Sequence, residues 1–357
     1  PFIHFFDGFR TSHEIQKIED ISDQTLFKLL PKEEIEKFRN RALSPKNPHQ
    51  SGTAQNPDVF FQNREASNSF YDNAYEIINQ TMLDVEKEIK RSYRPFEYYG
   101  DSDAENVVVV MGSASQTIKD VISKIEKEKE KFSSLGKIGV LNVRLYRPFN
   151  SQAFAACLPK TTKRICVLDR TKESGSVGEP LYVDVCTALN KVGREIKVVG
   201  GRYGLGSKEF TPSCAIAVFE NLAREQKNSF TVGIEDDVTN TSLNLNSKLA
   251  DLINSTIEKD CYQMMFFGLG SDGTISANKN SIKIIGNSTD KFVQGYFEYD
   301  SKKSGSLTVS HLRISDREIL MPYEIERADF IAIHNYSFIS RFNILKHLKQ
   351  NGVVLLN

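Results

Sequence analysis

The stretch that decides the fold runs from Phe266 to Gly286 and reads FFGLGSDGTISANKNSIKIIG. An apolar run ends in a glycine-rich turn with GxGxxG spacing, and a segment of helical character follows. Glycine lets the chain turn sharply, and it lets a phosphate approach the backbone where no Cβ blocks it. The amides that open the helix then point at the anion. The pattern predicts strand, turn and helix, with phosphate binding and an ordinary tight loop as equal alternatives.

Composition excludes several classes of protein. The chain has 357 residues, of which 39% are hydrophobic and 26% charged, and this predicts two or three globular domains. Lys plus Arg and Asp plus Glu both number 46, so no overall field recruits nucleic acid or a membrane. The sequence contains no run of about 18 apolar residues, so it predicts no membrane span, and no signal peptide is evident.

The cysteines predict no metal site. Their number is odd, and their spacing supports neither a zinc site nor an iron–sulfur cluster nor a disulfide framework. Reduced and mostly buried thiols, which fit the cytosol, are the simplest interpretation. The five cysteines are Cys157, Cys166, Cys186, Cys214 and Cys261.

Both ends of the sequence fall in strand-like apolar runs. The chain starts within PFIHFF and stops directly after Val353 to Leu356. We therefore expect a piece of a longer polypeptide.

The pattern along the chain predicts an α/β fold with three parts. Residues 1–95 are mixed, with a strand at PFIHFF and a long loop from Ser44 to Gln62. Residues 96–259 alternate short β-branched runs with helices, which predicts a parallel sheet covered on both faces. Residues 260–357 form a second α/β unit that opens with the glycine turn. Its later elements are predicted as strands at Phe292 to Tyr299, Leu307 to Leu312, Ala328 to Ile333 and Val353 to Leu356, a helix at Ser337 to Lys349, and a turn at Asn351-Gly352.

Two strand ends carry charged residues. Arg170, Lys172 and Glu173 follow the predicted strand at Arg164 to Leu168 and are candidates for a site or an interface, although a solvated loop is the favoured alternative. Asp300 follows Tyr299 and is itself followed by Lys302 and Lys303.

The two lysines favour a particular kind of ligand. In a nucleotide-binding fold, an acid at the second strand end favours NAD. Two ammonium groups suit an extra phosphate on the ribose, as in NADP or coenzyme A. A solvated basic turn is the alternative, and this chemistry does not separate the two ligands.

Several motifs together resemble pyruvate:ferredoxin oxidoreductase, and they are spread over the whole chain in order. They are HFFDGFRTSHE (His4 to Glu14), GTAQNPDVFFQNRE (Gly52 to Glu65), VRLYRPF (Val143 to Phe149), VLDRTKE (Val167 to Glu173), GGRYGLGSKEF (Gly200 to Phe210), FTVGIEDDVT (Phe230 to Thr239), GLGSDGTISANKNSIKIIG and YDSKKSG (Tyr299 to Gly305).

The resemblance implies a multidomain enzyme that uses thiamine diphosphate, Mg²⁺ and [4Fe-4S] clusters. Such an enzyme oxidises pyruvate to acetyl-CoA and CO₂ and passes electrons to ferredoxin or flavodoxin. Residues 1–95 would be the end of the pyrimidine-binding domain I, 96–259 a transketolase C-terminal-like domain II, and 260–357 the start of a Rossmann-like coenzyme A-binding domain III. A homodimer in the cytoplasm, or in an anaerobic organelle such as a hydrogenosome, is also implied.

The resemblance also implies which residues contact coenzyme A. They are Gly270, Ser271, Asp272, Gly273, Thr274 and Lys302. The thiamine glutamate, the Gly-Asp-Gly…Asn metal motif and the cysteine clusters of the family are absent, so we expect no catalytic residue here and an inactive isolated chain.

Two other functions remain open at this stage. An NADP-binding dehydrogenase needs only the glycine turn and the two lysines, and an NADP-linked variant of the same enzyme is a further alternative. No acid–base set stands out for a dehydrogenase, because the six histidines are scattered, and His311 and His334 are typical of core or turn positions. A structural module that bridges protomers is the third interpretation, and the Ser44 to Gln62 loop favours it.

Overall fold

The computed structural model describes residues 2–50, 52–257, 259, 261–299 and 305–357, and these form two compact units. The large unit comprises Pro1–Ile18, Tyr98–Asn142 and Ala155–Asn357, and the small unit comprises Glu19–Glu97 and Val143–Phe154. The chain is α/β, as the sequence predicts. The three domain boundaries remain a prediction.

The strands of the described residues fall into two sheets. In chain order they are β1 (Glu14–Gln16), β2 (Phe96–Gly100), β3 (Asn106–Val110), β4 (Ile138–Val143), β5 (Arg164–Asp169), β6 (Lys197–Tyr203), β7 (Phe230–Val232), β8 (Tyr262–Leu269), β9 (Phe292–Tyr299), β10 (Leu307–Ser315), β11 (Ala328–Ile333) and β12 (Leu348–Leu356).

The helices connect and cover these strands. They are α1 (Gly8–Thr11), α2 (Asp23–Leu29), α3 (Lys32–Asn40), α4 (Phe60–Ala66), α5 (Asn68–Ile89), α6 (Ala114–Lys127), α7 (Ser151–Cys157), α8 (Pro180–Lys191), α9 (Pro212–Ala223), α10 (Lys248–Ile257), α11 (Thr274–Ser288) and α12 (Phe338–Arg341), with 3₁₀ segments at Lys129–Leu135, Leu205–Ser207 and Ile344–His347. None of these helices is both long and apolar enough to cross a membrane.

The first sheet has the order β2-β4-β3-β5-β6-β7, and β3 to β7 pair in parallel. Every residue of β3 is buried, so both faces of the sheet are covered, as its run of valines predicts. The chain passes from β3 to β4 on one side and then to β5 on the other side of β3. The carboxyl ends of β3 and β5 therefore form a topological switch point, where open α/β sheets bind ligands.

The second sheet is mixed rather than parallel. Its order is β1-β9-β10-β8-β11-β12, in which β1, β9, β10 and β8 pair antiparallel and β8, β11 and β12 pair parallel. Helix α11 packs on β8, β9 and β10. One core includes Phe267, Ile331 and Phe338, and another includes Ile282 and Phe297.

The small unit is organised around an aromatic cluster. Phe96 lies 5.2 Å from Phe149 and 5.6 Å from Phe154, measured between ring centroids, and Tyr75 of α5 stacks on Phe96. Other large apolar side chains of this unit are exposed, among them Phe60, Phe61, Phe70 and Tyr71.

The predicted strand at PFIHFF is wrong. Residues 2–7 have no regular structure, and Phe2 and Ile3 are 77% and 87% exposed. A strand needs a partner for its backbone groups, and apolar composition does not supply one. The chain instead joins a sheet at β1, where Glu14 pairs with Tyr296.

The predicted helix at Ser337 to Lys349 is also wrong. The segment contains only the single turn α12, a 3₁₀ turn and the start of β12. Its apolar residues Phe338 and Ile344 are both buried in one core, which fixes the backbone through tertiary packing rather than helix propensity. Asn351-Gly352, predicted as a turn, lies inside β12 at a shift in register, where Asn351 has a φ of 64°.

Candidate functional site

The glycine turn joins β8 to α11 at the carboxyl edge of the mixed sheet. The Asp272 carboxylate holds this turn together because it accepts the Leu269 N–H at 2.7 Å and the Thr274 N–H at 2.8 Å. Burial opposes ionisation, but the hydrogen bonds from the Thr274 and Leu269 amides outweigh it and keep the pKa of Asp272 below its usual value. Asp272 therefore provides a negative charge at the start of α11, where the helix dipole favours it.

The three glycines of the turn have different roles. A Cβ on Gly268 would lie 2.5 Å from the Thr274 hydroxyl, so only glycine fits there. Gly273 has a φ of +90°, and a Cβ on it would meet no atom within 4 Å. A Cβ on Gly270 would make only ordinary contacts, the nearest at 3.5 Å. The first glycine thus serves the architecture, while the third leaves an open approach to the backbone.

Some backbone amides of the turn are free to bind a ligand. No described residue accepts a hydrogen bond from the amides of Ser271, Gly273 or Ile275. Ser271 and Gly273 are also exposed. The amide of Thr274 is taken by Asp272, and the side chain of Thr274 is buried. An anion at this turn would therefore contact fewer helix-opening amides than the glycine spacing predicts.

A second segment lies against the glycine turn. The Gly270 N–H donates to the Ser306 carbonyl at 2.8 Å, and the Gly305 N–H donates to the Gly270 carbonyl at 3.4 Å. Strand β9 ends at Tyr299, which pairs with Thr308 of β10. The residues on either side of 300–304 therefore both lie at this edge. The candidate residues Asp300, Lys302 and Lys303 are themselves outside the described residues.

The carboxyl end of β11 borders the same edge. The His334 N–H donates to the Phe267 carbonyl at 2.9 Å, and the His334 ring stacks on Phe266. The chain leaves β8 towards β9 and later returns to β11 on the other side of β8, so this is a second switch point. A cavity of about 350 Å³ opens at the end of β11, lined by Ile333 and residues 339–345, with Arg341 as its charged residue.

A polar cluster beside the same sheet, of which His311 is buried and the other two residues partly buried, was not predicted from the sequence. Glu298, His311 and Glu324 bring one oxygen or nitrogen atom each within 4.8 Å of one another, and among the described residues they form the single such group suited to a metal ion. His311 accepts the Ile325 N–H at Nδ1 (3.1 Å), so its Nε2 carries the proton and donates it to Glu298. Burial lowers the pKa of His311, against the effect of Glu298. As arranged, the ring offers no lone pair to a metal.

The pKa of Glu324 marks this cluster as unusual. Burial, together with the charges of Glu298 and Glu209, raises the pKa of Glu324 to about 8, although the charges of Arg10 and Arg313 act in the opposite direction. The one sequence signal for this cluster is a charged or titratable residue in each of two apolar strands, Glu298 in β9 and His311 in β10.

Of the three charged candidates after β5, only Arg170 is built into the fold. Its Nη1 lies 3.2 Å from the Asp7 carboxylate, and its Nε donates to the Gly204 carbonyl at 3.0 Å. Lys172 and Glu173 are exposed, as the solvated-loop alternative predicts.

Three family profiles match successive parts of the chain. "Pyruvate flavodoxin/ferredoxin oxidoreductase, thiamine diP-bdg" matches residues 1–83, "Pyruvate:ferredoxin oxidoreductase core domain II" matches 104–214, and "Pyruvate ferredoxin/flavodoxin oxidoreductase" matches 263–357. The chain belongs to the pyruvate:ferredoxin/flavodoxin oxidoreductase family. The resemblance carried by the sequence motifs is thereby confirmed.

Curated relatives of this oxidoreductase family match the whole chain. It is 52% identical to the pyruvate:ferredoxin oxidoreductase of Moorella thermoacetica, 50% to the pyruvate dehydrogenase [NADP(+)] of Cryptosporidium parvum and 50% to the probable pyruvate-flavodoxin oxidoreductase of Escherichia coli. All of this chain aligns in each case, but it spans only 30%, 18% and 30% of those proteins.

One solved structure is a distant match. It is a 2-oxoglutarate:ferredoxin oxidoreductase from Magnetococcus marinus with 2-oxoglutarate, coenzyme A and succinyl-CoA bound. The match has 14% identity and a TM-score of 0.31, and it covers 51% of this chain and 28% of that one. At this distance it locates no site in the present chain.

Proposed function

We propose that this chain is the coenzyme A-binding part of an oxidoreductase that converts pyruvate and coenzyme A to acetyl-CoA and CO₂. In that enzyme thiamine diphosphate, bound with Mg²⁺, would supply the decarboxylation chemistry, and [4Fe-4S] clusters would carry electrons to ferredoxin or flavodoxin, all from outside this chain. The family membership and the glycine turn support this proposal.

The observation that carries the proposal is the pair of hydrogen bonds between Gly270 and the Gly305–Ser306 segment. They bring the start of β10 against the glycine turn, and the segment that contains Lys302 connects β9 to this point. Free amides of Ser271 and Gly273 are present on one side of this contact. A ligand with a diphosphate and a separate ribose phosphate suits such an arrangement, because amides and an ammonium group can each hold one anion.

The residues of the site would bind and orient, and none of them would react. The amides of Ser271 and Gly273 would hold the diphosphate of coenzyme A, and Lys302 the phosphate on its ribose. Asp272 would keep the turn in shape through its bonds to Leu269 and Thr274. Holding the nucleotide end fixes where the thiol can reach, so binding energy from a remote group serves orientation at the reacting carbon.

The described residues do not fit an iron–sulfur cluster. Among the described residues, the single group of candidate metal ligands contains two glutamates and a histidine but no cysteine, and the five cysteines form no disulfide and are partly or fully buried. The chain supplied with thiamine diphosphate, Mg²⁺ and an electron acceptor is expected to leave pyruvate unchanged, and release of CO₂ would refute this division of labour.

Calorimetry with three ligands tests the site. We expect coenzyme A to bind more tightly than NADPH, and 3′-dephospho-coenzyme A to bind more weakly than coenzyme A. Lys302→Ala should weaken coenzyme A binding about tenfold, since a hydrogen bond to a charged group contributes about 1.5 to 3 kcal/mol, and the loss should shrink in high salt. Lys303→Ala is the matched control.

The alternatives give different results in the same experiment. Tighter binding of NADPH than of coenzyme A would favour an NADP-binding dehydrogenase, the second function that the two lysines allow. An unchanged affinity in Lys302→Ala would move the phosphate site elsewhere on the chain. The NADP-linked form of the same enzyme would bind coenzyme A here and differ only in parts beyond this chain.

The assembly and compartment are further parts of the proposal. We expect a homodimer, which light scattering at several protein concentrations can test, and the exposed apolar side chains of α4 and α5 favour it. The cytoplasm, or an anaerobic organelle, is the expected compartment, because the five cysteines form no disulfide among the described residues.

A further inference from the structure

The switch point of the parallel sheet is filled by a side chain of the same protein. Asp7 lies between the carboxyl ends of β3 and β5, where open α/β sheets bind ligands. Its carboxylate accepts the Ser113 N–H at 2.6 Å and lies 3.2 Å from Arg170 Nη1. Gly112 has a φ of +77°, and a Cβ there would come within 2.9 Å of this carboxylate, so the approach depends on glycine.

Three residues further along, the same segment contacts the mixed sheet. Arg10 is only 5% exposed. Its Nη1 bonds Glu209 at 2.9 Å, and its guanidinium lies 3.7 Å above the ring of Tyr296 in β9. The second oxygen of Glu209 accepts the Glu324 N–H at 2.9 Å. Arg10 is therefore fixed between a residue that precedes α9 and a strand of the other sheet.

The chain then continues directly onto the edge of that sheet. The Phe297 N–H donates to the His13 carbonyl at 3.2 Å, and β1 pairs antiparallel with β9. Residues 7–16 thus contact the parallel sheet through Asp7 and the mixed sheet through Arg10. The same stretch ends in β1, which pairs with β9. Strand β9 is the element whose carboxyl end leads to Lys302.

We propose that Asp7 and Arg10 are positioning residues that hold β9 in a fixed place relative to the parallel sheet, and that coenzyme A binding at the edge of the mixed sheet depends on this position. The part concerning coenzyme A rests on the function proposed above. Asp7 ties residues 7–16 to the parallel sheet through Arg170 and the Ser113 amide. Arg10 and β1 tie the same segment to β9, so that β9 and the parallel sheet are held by one short stretch of chain. Loss of either anchor, Asp7 or Arg10, frees the edge of the mixed sheet without touching the glycine turn.

Hydrogen exchange in the 357-residue chain tests the anchor without any ligand. Asp7→Ala and Arg170→Ala should each speed exchange of the β9 amides about fivefold or more, and the double variant should add little to the effect of Asp7→Ala, because that variant already lacks the ion pair. Asp7→Asn, which keeps an oxygen for the Ser113 amide, should have a smaller effect and provides a variant that folds if alanine does not. Asp20→Ala, an exposed carboxylate nearby, is the control.

Coenzyme A binding then tests the positioning role separately. We expect the Asp7 and Arg170 variants to bind coenzyme A about three- to tenfold more weakly while thermal unfolding of the parallel sheet is little changed. Unchanged β9 exchange in both variants would refute the anchor. Faster β9 exchange with unchanged coenzyme A affinity would refute the positioning role. Absence of coenzyme A binding in the unaltered chain would refute the proposed function and leave the exchange result standing.

Discussion

Replacing Glu324 by glutamine should make the protein more stable at alkaline pH. Glu324 is partly buried beside two other carboxylates, Glu298 and Glu209, and burial with their charges raises its pKa from 4.5 to about 8. Arg10 and Arg313 are the cations that face it, and they do not offset burial. The folded chain therefore holds a proton on Glu324 at neutral pH that the unfolded chain releases.

The sign of the pH dependence follows from proton binding in the two states. Below pH 4.5 both states hold the proton, so the contribution of Glu324 to stability is fully present. As pH rises from 4.5 through about 8, only the folded state retains it, and the free energy of unfolding falls. Each pKa unit corresponds to about 1.4 kcal/mol, which sets an upper limit of about 5 kcal/mol. We expect about 2 to 4 kcal/mol, because water reaches part of the carboxyl group.

Urea unfolding followed by far-UV circular dichroism from pH 5 to pH 9 measures this difference. Glu324→Gln should differ little from the unaltered chain near pH 5, and its advantage should grow up to about pH 8 and then level off, without a change in the slope against urea. Glu235→Gln, an exposed position, is the control for removing a charge. Parallel stability curves for the variant and the unaltered chain across this range would refute the reasoning.

Three substitutions probe the local structure of the turn and of a helix end. Gly268→Ala should lower the free energy of unfolding by about 1 to 3 kcal/mol in urea titration, since the new Cβ lies 2.5 Å from the Thr274 hydroxyl. Gly273→Val should cost only about 1 to 2 kcal/mol from backbone strain but block coenzyme A in calorimetry; unchanged binding would mean the ligand approaches elsewhere. Asp169→Ala should lower the melting temperature, because it removes a carboxylate that accepts two backbone amides of α8 at 2.9 and 3.1 Å, a cap that contributes about 1 to 2 kcal/mol.

The buried strands could be predicted from the sequence because their composition and their environment agree. The predicted Phe292 to Tyr299 and Ala328 to Ile333 coincide with β9 and β11, and the valine run of β3 lies in a sheet covered on both faces. Such runs have few alternatives, since only a buried sheet accommodates β-branched residues on both sides. The sequence also indicates a core or turn position for His311, and this residue is buried with both ring nitrogens hydrogen-bonded.

Other features depend on contacts between distant residues and leave almost no local signal. PFIHFF has strand composition but pairs with nothing, while the less apolar Glu14 to Gln16 forms β1 because the edge of β9 is available. The cluster of Glu298, His311 and Glu324 requires the register of β9 against β10, which composition does not determine. The same is true of Asp7 and Arg170, which are 163 positions apart in numbering yet form an ion pair.

The sheet order changes how the two lysines should be interpreted. In a dinucleotide-binding fold the acid that reads the ribose ends a strand next to the first one, but here β10 lies between β8 and β9. The glycine turn and the end of β9 are thus about 10 Å apart, two strand spacings. If Lys302 binds the ribose phosphate of coenzyme A, the same interaction is lost whether the phosphate or the lysine is removed. Lys302→Ala should therefore weaken the binding of coenzyme A but not of 3′-dephospho-coenzyme A, and equal losses for both ligands would mean that the lysine acts on the diphosphate.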